Sequence, residues 1–206
     1  MKAHDTIRTM TGARVRTGFD TTKTALMVID FQNEYFSGRM PIPNGTAALS
    51  NAKRLVEWAD EHGMPVYHVQ HVTPPGAPIF AEGGDTVGFH PDIAPAPHHK
   101  IVRKTSVSVF PTTNIDEQLK NANIETLVIA GLMTHACVSG AARDAVPLGY
   151  EVVVASDACA TRDITGPDGK TMPHESLHSA SLVTLSDTFA EILDTNAVLS
   201  LSPTGA

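Results

Sequence analysis

The sequence predicts an α/β protein, a three-layer α/β/α arrangement around a six-stranded, mostly parallel, Rossmann-like sheet. Three observations carry that prediction. Short apolar runs rich in β-branched residues, without alternation, recur along the chain, the pattern of strands buried on both faces of a parallel sheet. Between them lie segments with apolar residues at three- and four-residue steps, the spacing of a helix with one buried face. The two kinds alternate, and β-α-β succession lays parallel strands side by side with helices over the sheet.

Residues 1–20 are polar, Thr-rich and without periodicity; they read as an N-terminal arm that packs on a neighbour or lies disordered. A single domain follows over 21–200. Thr24–Ile29 (TALMVI) is its first strand and ends in Asp30. A carboxylate after so apolar a run is costly to bury unless it is paired or at work, or else it simply caps the turn. Phe31–Gly45, with three aromatics and two prolines, is a loop able to wall a pocket. Asn44 or Thr46 then caps a helix to about His62, with Ala48, Leu49, Ala52, Leu55, Val56 and Ala59 inward. Gly63 stops it, and Val66–Val69 is the second strand.

Thr73–His99 is the longest irregular stretch, with six prolines, and loops of that length inside compact domains are lids or subunit contacts. We take 73–99 as a lid loop. His68, His71, His90, His98 and His99 lie in or beside it, but no pair has the H-E-x-x-H spacing or a C-x-x-C partner. They read as solvated loop histidines, and no metal is expected. Lys100–Arg103 is the third strand, followed by Lys104, either a surface charge or a fixed cation beside a reactive group. Thr113–Asn121 is a short helix with Ile115 and Leu119 inward.

The stretch from Glu125 to Tyr150 changes character in its middle. Thr126–Ala130 is a strand, Gly131 breaks it, and from Thr134 the residues Val138, Ala141, Ala142, Ala145 and Leu148 keep helical spacing. Cys137 thus falls in the first turn of a helix beside a strand's carboxyl end, with Thr134 as its N-cap. Unpaired N–H groups and the helix dipole there favour an anion, so the thiol is expected to ionise more readily than a free cysteine, and the same donors suit an oxyanion. The plainer reading is a packed cysteine on a small-residue helix. Glu151–Ala155 is the fifth strand. A turn at Pro167-Asp168-Gly169 precedes a helix from Met172 or Pro173 to about Leu185, and Thr188 with Phe189 makes a sixth strand.

Among its 206 residues, 42% are hydrophobic and the formal charge is −7. Such a chain has core enough for one domain and no basic stripe for nucleic acid or an anionic membrane surface. No apolar run approaches a membrane span and no secretory signal is evident, which makes the cytoplasm the expected location. Cys137 and Cys159 read as reduced thiols rather than a disulfide framework. There is no G-x-G-x-x-G after the first strand and no P-loop, so no nucleotide cofactor is expected.

Asp30, Lys104 and Cys137 all follow strand ends, where open α/β sheets bind ligands. With the motifs VIDFQN, RKTSVSVF, GLMTHACV and SDACATR in this order, the chain resembles the isochorismatase-like cysteine hydrolases over about Thr24 to Leu193. The resemblance implies an Asp-Lys-Cys triad carried onto Asp30, Lys104 and Cys137, and an oxyanion hole from the N–H groups of Met133 and Cys137. It also implies a non-proline cis peptide at Leu132–Met133. The activity it implies is cleavage of a C–N bond of a small amide, lactam or carbamoyl compound through a Cys thioester, without cofactor. Nicotinamidases of this family carry an Asp-x-His metal site where this chain has HVQHVTPPG, which disfavours nicotinamide. Retention of Cys137 points away from the vinyl ether hydrolysis of isochorismate hydrolases. A redox protein with Cys159 resolving Cys137 is the alternative from another class. Gln32, Phe36, Phe110 and Arg162 are candidate pocket residues, and the relatives imply a homodimer or homotetramer.

Overall fold

The computed structural model describes residues 4–204. In chain order the elements are α1 (Ile7–Met10), β1 (Gly18–Asp20), β2 (Thr24–Ile29), α2 (Gly45–Glu61), β3 (Val66–His71), β4 (Lys100–Lys104), α3 (Ile115–Asn121) and β5 (Thr126–Leu132). A π-helical turn (Thr134–Val138) then leads into α4 (Ser139–Ala145), followed by β6 (Glu151–Ala160), β7 (Ile164–Thr165), β8 (Thr171–Met172), α5 (His174–Thr188), β9 (Glu191–Leu193), α6 (Thr195–Ser200) and β10 (Ser202–Thr204).

The central sheet has six strands in the order β4-β3-β2-β5-β6-β9, and every neighbouring pair is parallel. β2 and β5 show why the sequence lacks alternation there: all residues of both strands are buried. One core layer packs Leu26, Val28 and Val128 against Ala52, Leu55 and Ala59 of α2. The other packs Met27, Ile29 and Ile129 against Ile115, Leu119, Val138 and Ala142. Helices therefore cover both faces, as the buried pattern requires. From β2 the chain winds outward through β3 to β4, then crosses to β5 on the other side of β2. The strand order reverses between β2 and β5, the crevice where sheets of this kind bind ligands.

Gly131 belongs to that crevice. A Cβ there would stand 2.6 Å from Ile29 Cβ and 2.7 Å from Ile29 O, so only glycine lets β5 run this close to β2 while its pairing with β6 shifts register between Ile129 and Gly131.

Several expectations need correction. The arm packs on its own chain: β1 pairs in parallel with β10, Ile7 N donates to Asp187 Oδ1 at 2.9 Å, and Phe19 is fully buried. Residues 1–3 of the arm lie outside the described residues. Phe19 meets Trp58 edge-on with centroids 5.5 Å apart, so Trp58, not Val56, completes the inner face of α2. The sixth strand is Glu191–Leu193, because Thr188 still belongs to α5 and Phe189 N–H closes that helix on Leu185 O at 2.8 Å. The stretch Thr73–His99 is joined by backbone bonds to the loop after β2. Asn33 N donates to Gly88 O (2.9 Å), Glu34 N to Thr86 O (2.9 Å) and His90 N to Phe31 O (2.8 Å). The buried Glu34 carboxylate accepts from Arg39 N at 2.7 Å and from the Thr86 hydroxyl. Among the described residues no helix is long and apolar enough to cross a membrane.

Candidate active site

At the carboxyl end of β2 the chain turns sharply at Asp30, whose φ is +55°. Residues with a Cβ rarely adopt that region, and holding one there costs about 1–3 kcal/mol. Two backbone bonds hold it, Asp30 N to Val69 O at 3.0 Å and Gln32 N to Asp30 O at 2.8 Å. They aim the carboxylate across the crevice at Lys104, the last residue of β4. Lys104 Nζ lies 2.8 Å from Asp30 Oδ2 and 3.3 Å from Cys137 Sγ. The side chains of Asp30 and Lys104 are both fully buried, and Cys137 is 6% exposed. An ion pair so desolvated costs more than its geometry returns unless it has further work or partners. Neither Asp30 oxygen makes a directional hydrogen bond among the described residues, so the carboxylate keeps lone pairs free beside the thiol.

Cys137 sits in a π-helical turn rather than in the first turn of an ordinary helix. Val138 N–H reaches back five residues to Met133 O at 3.3 Å, and π-turns of this kind concentrate at functional sites. Thr134 does not cap it; its hydroxyl pairs with His178 Nδ1 at 2.8 Å. The Leu132–Met133 peptide is cis, and Met133 N–H has no hydrogen-bond acceptor among the described residues. The expectation of an acidic thiol is overturned. Burial, then the Asp30 carboxylate, push the Cys137 thiol up, and Lys104 only partly opposes them. The resting sulfur carries its proton and needs a base to lose it.

Two neighbours were not read as part of the site, and His71 was expected to be a solvated loop histidine. Tyr35 is 2% exposed; burial, then Asp30 and Cys137, push its phenol up, while Arg162 pulls the other way. Its ring stands edge-on to Phe80 with centroids 5.2 Å apart. His71 Nδ1 lies 2.9 Å from Lys104 Nζ. Its signal was the run HVQH, which continues β3 two residues past Val69 to the strand's carboxyl end.

The weaker pocket candidates divide. Gln32 is fully buried, and its amide is spent on backbone: Nε2 donates to His71 O (2.8 Å) and Val87 O (2.7 Å), and Oε1 accepts from His71 N (2.8 Å). It staples the loop, with both of its amide protons engaged. Phe110 is turned away, stacked on Tyr150 at 6.2 Å beside the amino end of β6. Phe36 lies against His90 with centroids 4.5 Å apart, on the loop after β2. Arg162 follows β6 and has no acidic partner among the described residues; its Nη1 donates only to Asp163 O at 3.1 Å, and its Nε is buried without an acceptor.

The histidines by the lid are not all solvated. His68 is 1% exposed, and burial, then His99, pull it down to about 4. Asp60 Oδ1 lies 3.0 Å from His98 Nε2 and 2.9 Å from His99 Nε2, three groups close enough to share a cation. The Ala96 amide donates to His99 Nδ1 at 3.0 Å, however, which puts the His99 proton on Nε2, facing Asp60. That tautomer cannot ligate at Nε2. The trio is a hydrogen-bonded clasp between α2 and the end of the lid.

Comparison with known proteins places this geometry in context. A family model described as the isochorismatase domain matches residues 24–197. The isochorismatase family protein YddQ of Bacillus subtilis is 35% identical over 178 residues, covering 85% of this chain and 98% of that protein. The secreted isochorismatase effector Isc1 of Verticillium dahliae is 32% identical, with 93% of this chain and 97% of that protein covered. The crystal structure of an isochorismatase hydrolase from Oleispira antarctica superposes with a TM-score of 0.83 at 36% identity, over 87% of this chain and 97% of that one. Relatives named as amide-cleaving enzymes include the nicotinamidase of Escherichia coli (28% identical; 79% of this chain, 95% of that protein) and the maleamate amidohydrolase of Pseudomonas putida (25%; 93% and 91%). The crystal structure of N-carbamoylsarcosine amidase from Thermoplasma acidophilum matches with a TM-score of 0.71 at 26% identity, over 84% and 97%.

Proposed function

Because the chain belongs to the isochorismatase family, we propose that it is a cysteine hydrolase cleaving a C–N bond of a small amide, lactam or carbamoyl compound. The observation that carries this is one buried ammonium, Lys104, 2.8 Å from a carboxylate and 3.3 Å from a thiol. The amidases among its relatives support the reaction type.

The chemistry follows from the parts. Asp30 accepts the Cys137 proton as the sulfur attacks the substrate carbonyl carbon. Lys104 compensates negative charge first on Asp30 and then on the sulfur. The carbonyl oxygen, now anionic, rests on the N–H groups of Met133 and Cys137, each worth ~3–4 kcal/mol to the transition state. As the C–N bond breaks, Asp30 returns the proton to the leaving nitrogen and a thioester remains. Water then attacks the thioester carbon, Asp30 takes its proton, and the C–S bond breaks to release the acid. The thiol regains the proton from Asp30. With the resting thiol protonated, this transfer to Asp30 is the step that creates the nucleophile.

A resolving role for Cys159 is weakened by burial, which holds its thiol up at about 12. Redox cycling needs a thiolate there. A nucleophile that must remain a free thiol suits a reducing compartment, and the proposal includes a cytoplasmic enzyme. It also includes assembly into a homodimer or homotetramer, for which light scattering of the purified chain is the test; a monomer at micromolar concentration removes that part.

The deciding experiment measures hydrolysis of small amides, imides, lactams, carbamoyl compounds and isochorismate, with Cys137→Ala alongside. Ammonia or amine release that vanishes in the alanine variant is the expected result. Cleavage of isochorismate that survives the alanine change moves the function to vinyl ether hydrolysis, with Asp30 as the acid.

A further inference from the structure

Lys104 has three ammonium protons to place, and three acceptors meet it in hydrogen-bond geometry: His71 Nδ1 at 2.9 Å, Ser106 O at 3.2 Å and Cys137 Sγ at 3.3 Å. Asp30 Oδ2, 2.8 Å away, balances the charge without a directional bond. The contact to His71 is the shortest of the three and fixes one proton, leaving the others to the carbonyl and the sulfur. The contact to His71 thus decides how the remaining protons point.

His71 is itself held rigidly. Its backbone N–H and C=O are both engaged by the Gln32 amide. The lid's Phe80 stands edge-on to its ring with centroids 5.1 Å apart. An imidazole fixed by its backbone and by the lid presents a lone pair to the one cation that touches both the carboxylate and the thiol.

We propose that His71 is a positioning residue for the reaction assigned above: its unprotonated Nδ1 takes one Lys104 proton and thereby aims another at Cys137 Sγ while the ammonium stays beside Asp30. The inference rests on the cysteine hydrolase reading for its effect on turnover, but its effect on the thiol stands apart from any substrate. A protonated His71 has no lone pair at Nδ1 and would set a second positive charge against Lys104. The groups facing His71 are Lys104 from β4, Asp30 behind it from the β2 turn, the Ser106 carbonyl, and Cys137 of the π-helical turn beyond Lys104. Burial, then Lys104, hold His71 below the ordinary histidine value, and Asp30 opposes them. The contact is therefore intact at neutral pH and is lost in acid.

The test compares His71→Leu, which removes the acceptor, with His71→Asn, which offers a carbonyl acceptor that does not titrate. Two readouts are taken, kcat and KM on the best substrate across pH, and the rate of iodoacetamide alkylation at Cys137, located by peptide mass. His71→Leu is expected to lower kcat roughly 10- to 100-fold, the scale of a displaced catalytic group, with KM little changed. Alkylation at pH 7 is expected to slow by about tenfold, for the same displacement. His71→Asn is expected to restore both to near the unsubstituted values and to lose the bend on the acid side of the kcat/KM profile. Unchanged alkylation and kcat in His71→Leu overturn the proposal. So does an Asn variant as impaired as the Leu variant, which would mark a purely structural histidine, or an acid limb unchanged in His71→Asn. If no amide is cleaved by the unsubstituted protein, the reaction assigned above fails, while the alkylation rates still decide the role of His71.

Discussion

Asp30 and Asp60 lie at opposite ends of the same sheet and both face basic groups, yet they are satisfied in opposite ways. Asp60, at the end of α2, accepts from two imidazoles. Burial pushes its carboxyl up, but those two hydrogen bonds and charges outweigh it and hold the carboxyl below its ordinary value. Asp30 is wholly buried, sits at a left-handed φ of +55°, and pairs with one ammonium while its oxygens make no directional hydrogen bond. A carboxylate with one oxygen shared by two imidazole donors is committed to holding structure. One kept under-coordinated beside a thiol, in a conformation that costs energy to maintain, is placed to accept a proton.

The sharpest way to break this contrast is Asp30→Asn, which keeps the shape and removes the base. On the cysteine hydrolase reading, turnover should fall by roughly 10⁴-fold, the scale seen when a triad's carboxylate is neutralised, while the thermal unfolding midpoint falls because the buried Lys104 ammonium loses its counter-charge. An Asn variant retaining a tenth of the activity would show that Asp30 is not the base. Next in size is the pH response of the clasp end. His68 is buried at about 4, below the 6.5 of an unfolded histidine. Between those values the unfolded chain takes a proton that the folded chain refuses. His68 therefore costs no stability above about pH 6.5, costs more as pH falls through that window, and reaches about 3 kcal/mol below pH 4. Urea unfolding from pH 7 to 4 should follow that slope in the unsubstituted protein and flatten in His68→Gln; equal slopes would contradict the assignment. Smallest is Asp60→Asn, which keeps one acceptor for two imidazole donors and should cost about 1 kcal/mol of stability with kcat unchanged. If it abolished turnover as Asp30→Asn should, the division between the two ends would collapse.

What was legible in the sequence follows the same division. β2 was read to its observed ends, Thr24 and Ile29, because a six-residue apolar run is the length of a strand and too short for a buried helix. Asp30, Lys104 and Cys137 were legible as residues following strand ends, and the structure brings them within one hydrogen-bonding cluster. Gln32 and Phe110 were misjudged. An amide or an aromatic ring next to a motif looks available until the backbone groups or the ring that occupy it are known. The arm was misjudged for a related reason: β1 pairs with β10, Gly18 beside Ser202, and no local periodicity announces a partner so remote. His71 was read as a solvated loop histidine because the second strand was ended two residues early, at the boundary where pattern is weakest.

By itself the sequence determined the alternation of buried strands and one-faced helices, and with it the layered α/β fold, since local spacing and burial require one another. It also determined which chemical groups stand at the strand ends. Only the tertiary structure decided which of those groups meet, that the thiol is held protonated by burial and by Asp30, and that Lys104 is shared among Asp30, His71 and Cys137. Those outcomes depend on strand order, on a backbone turn at Asp30 and on desolvation, quantities set by the whole packed chain rather than by any stretch of it.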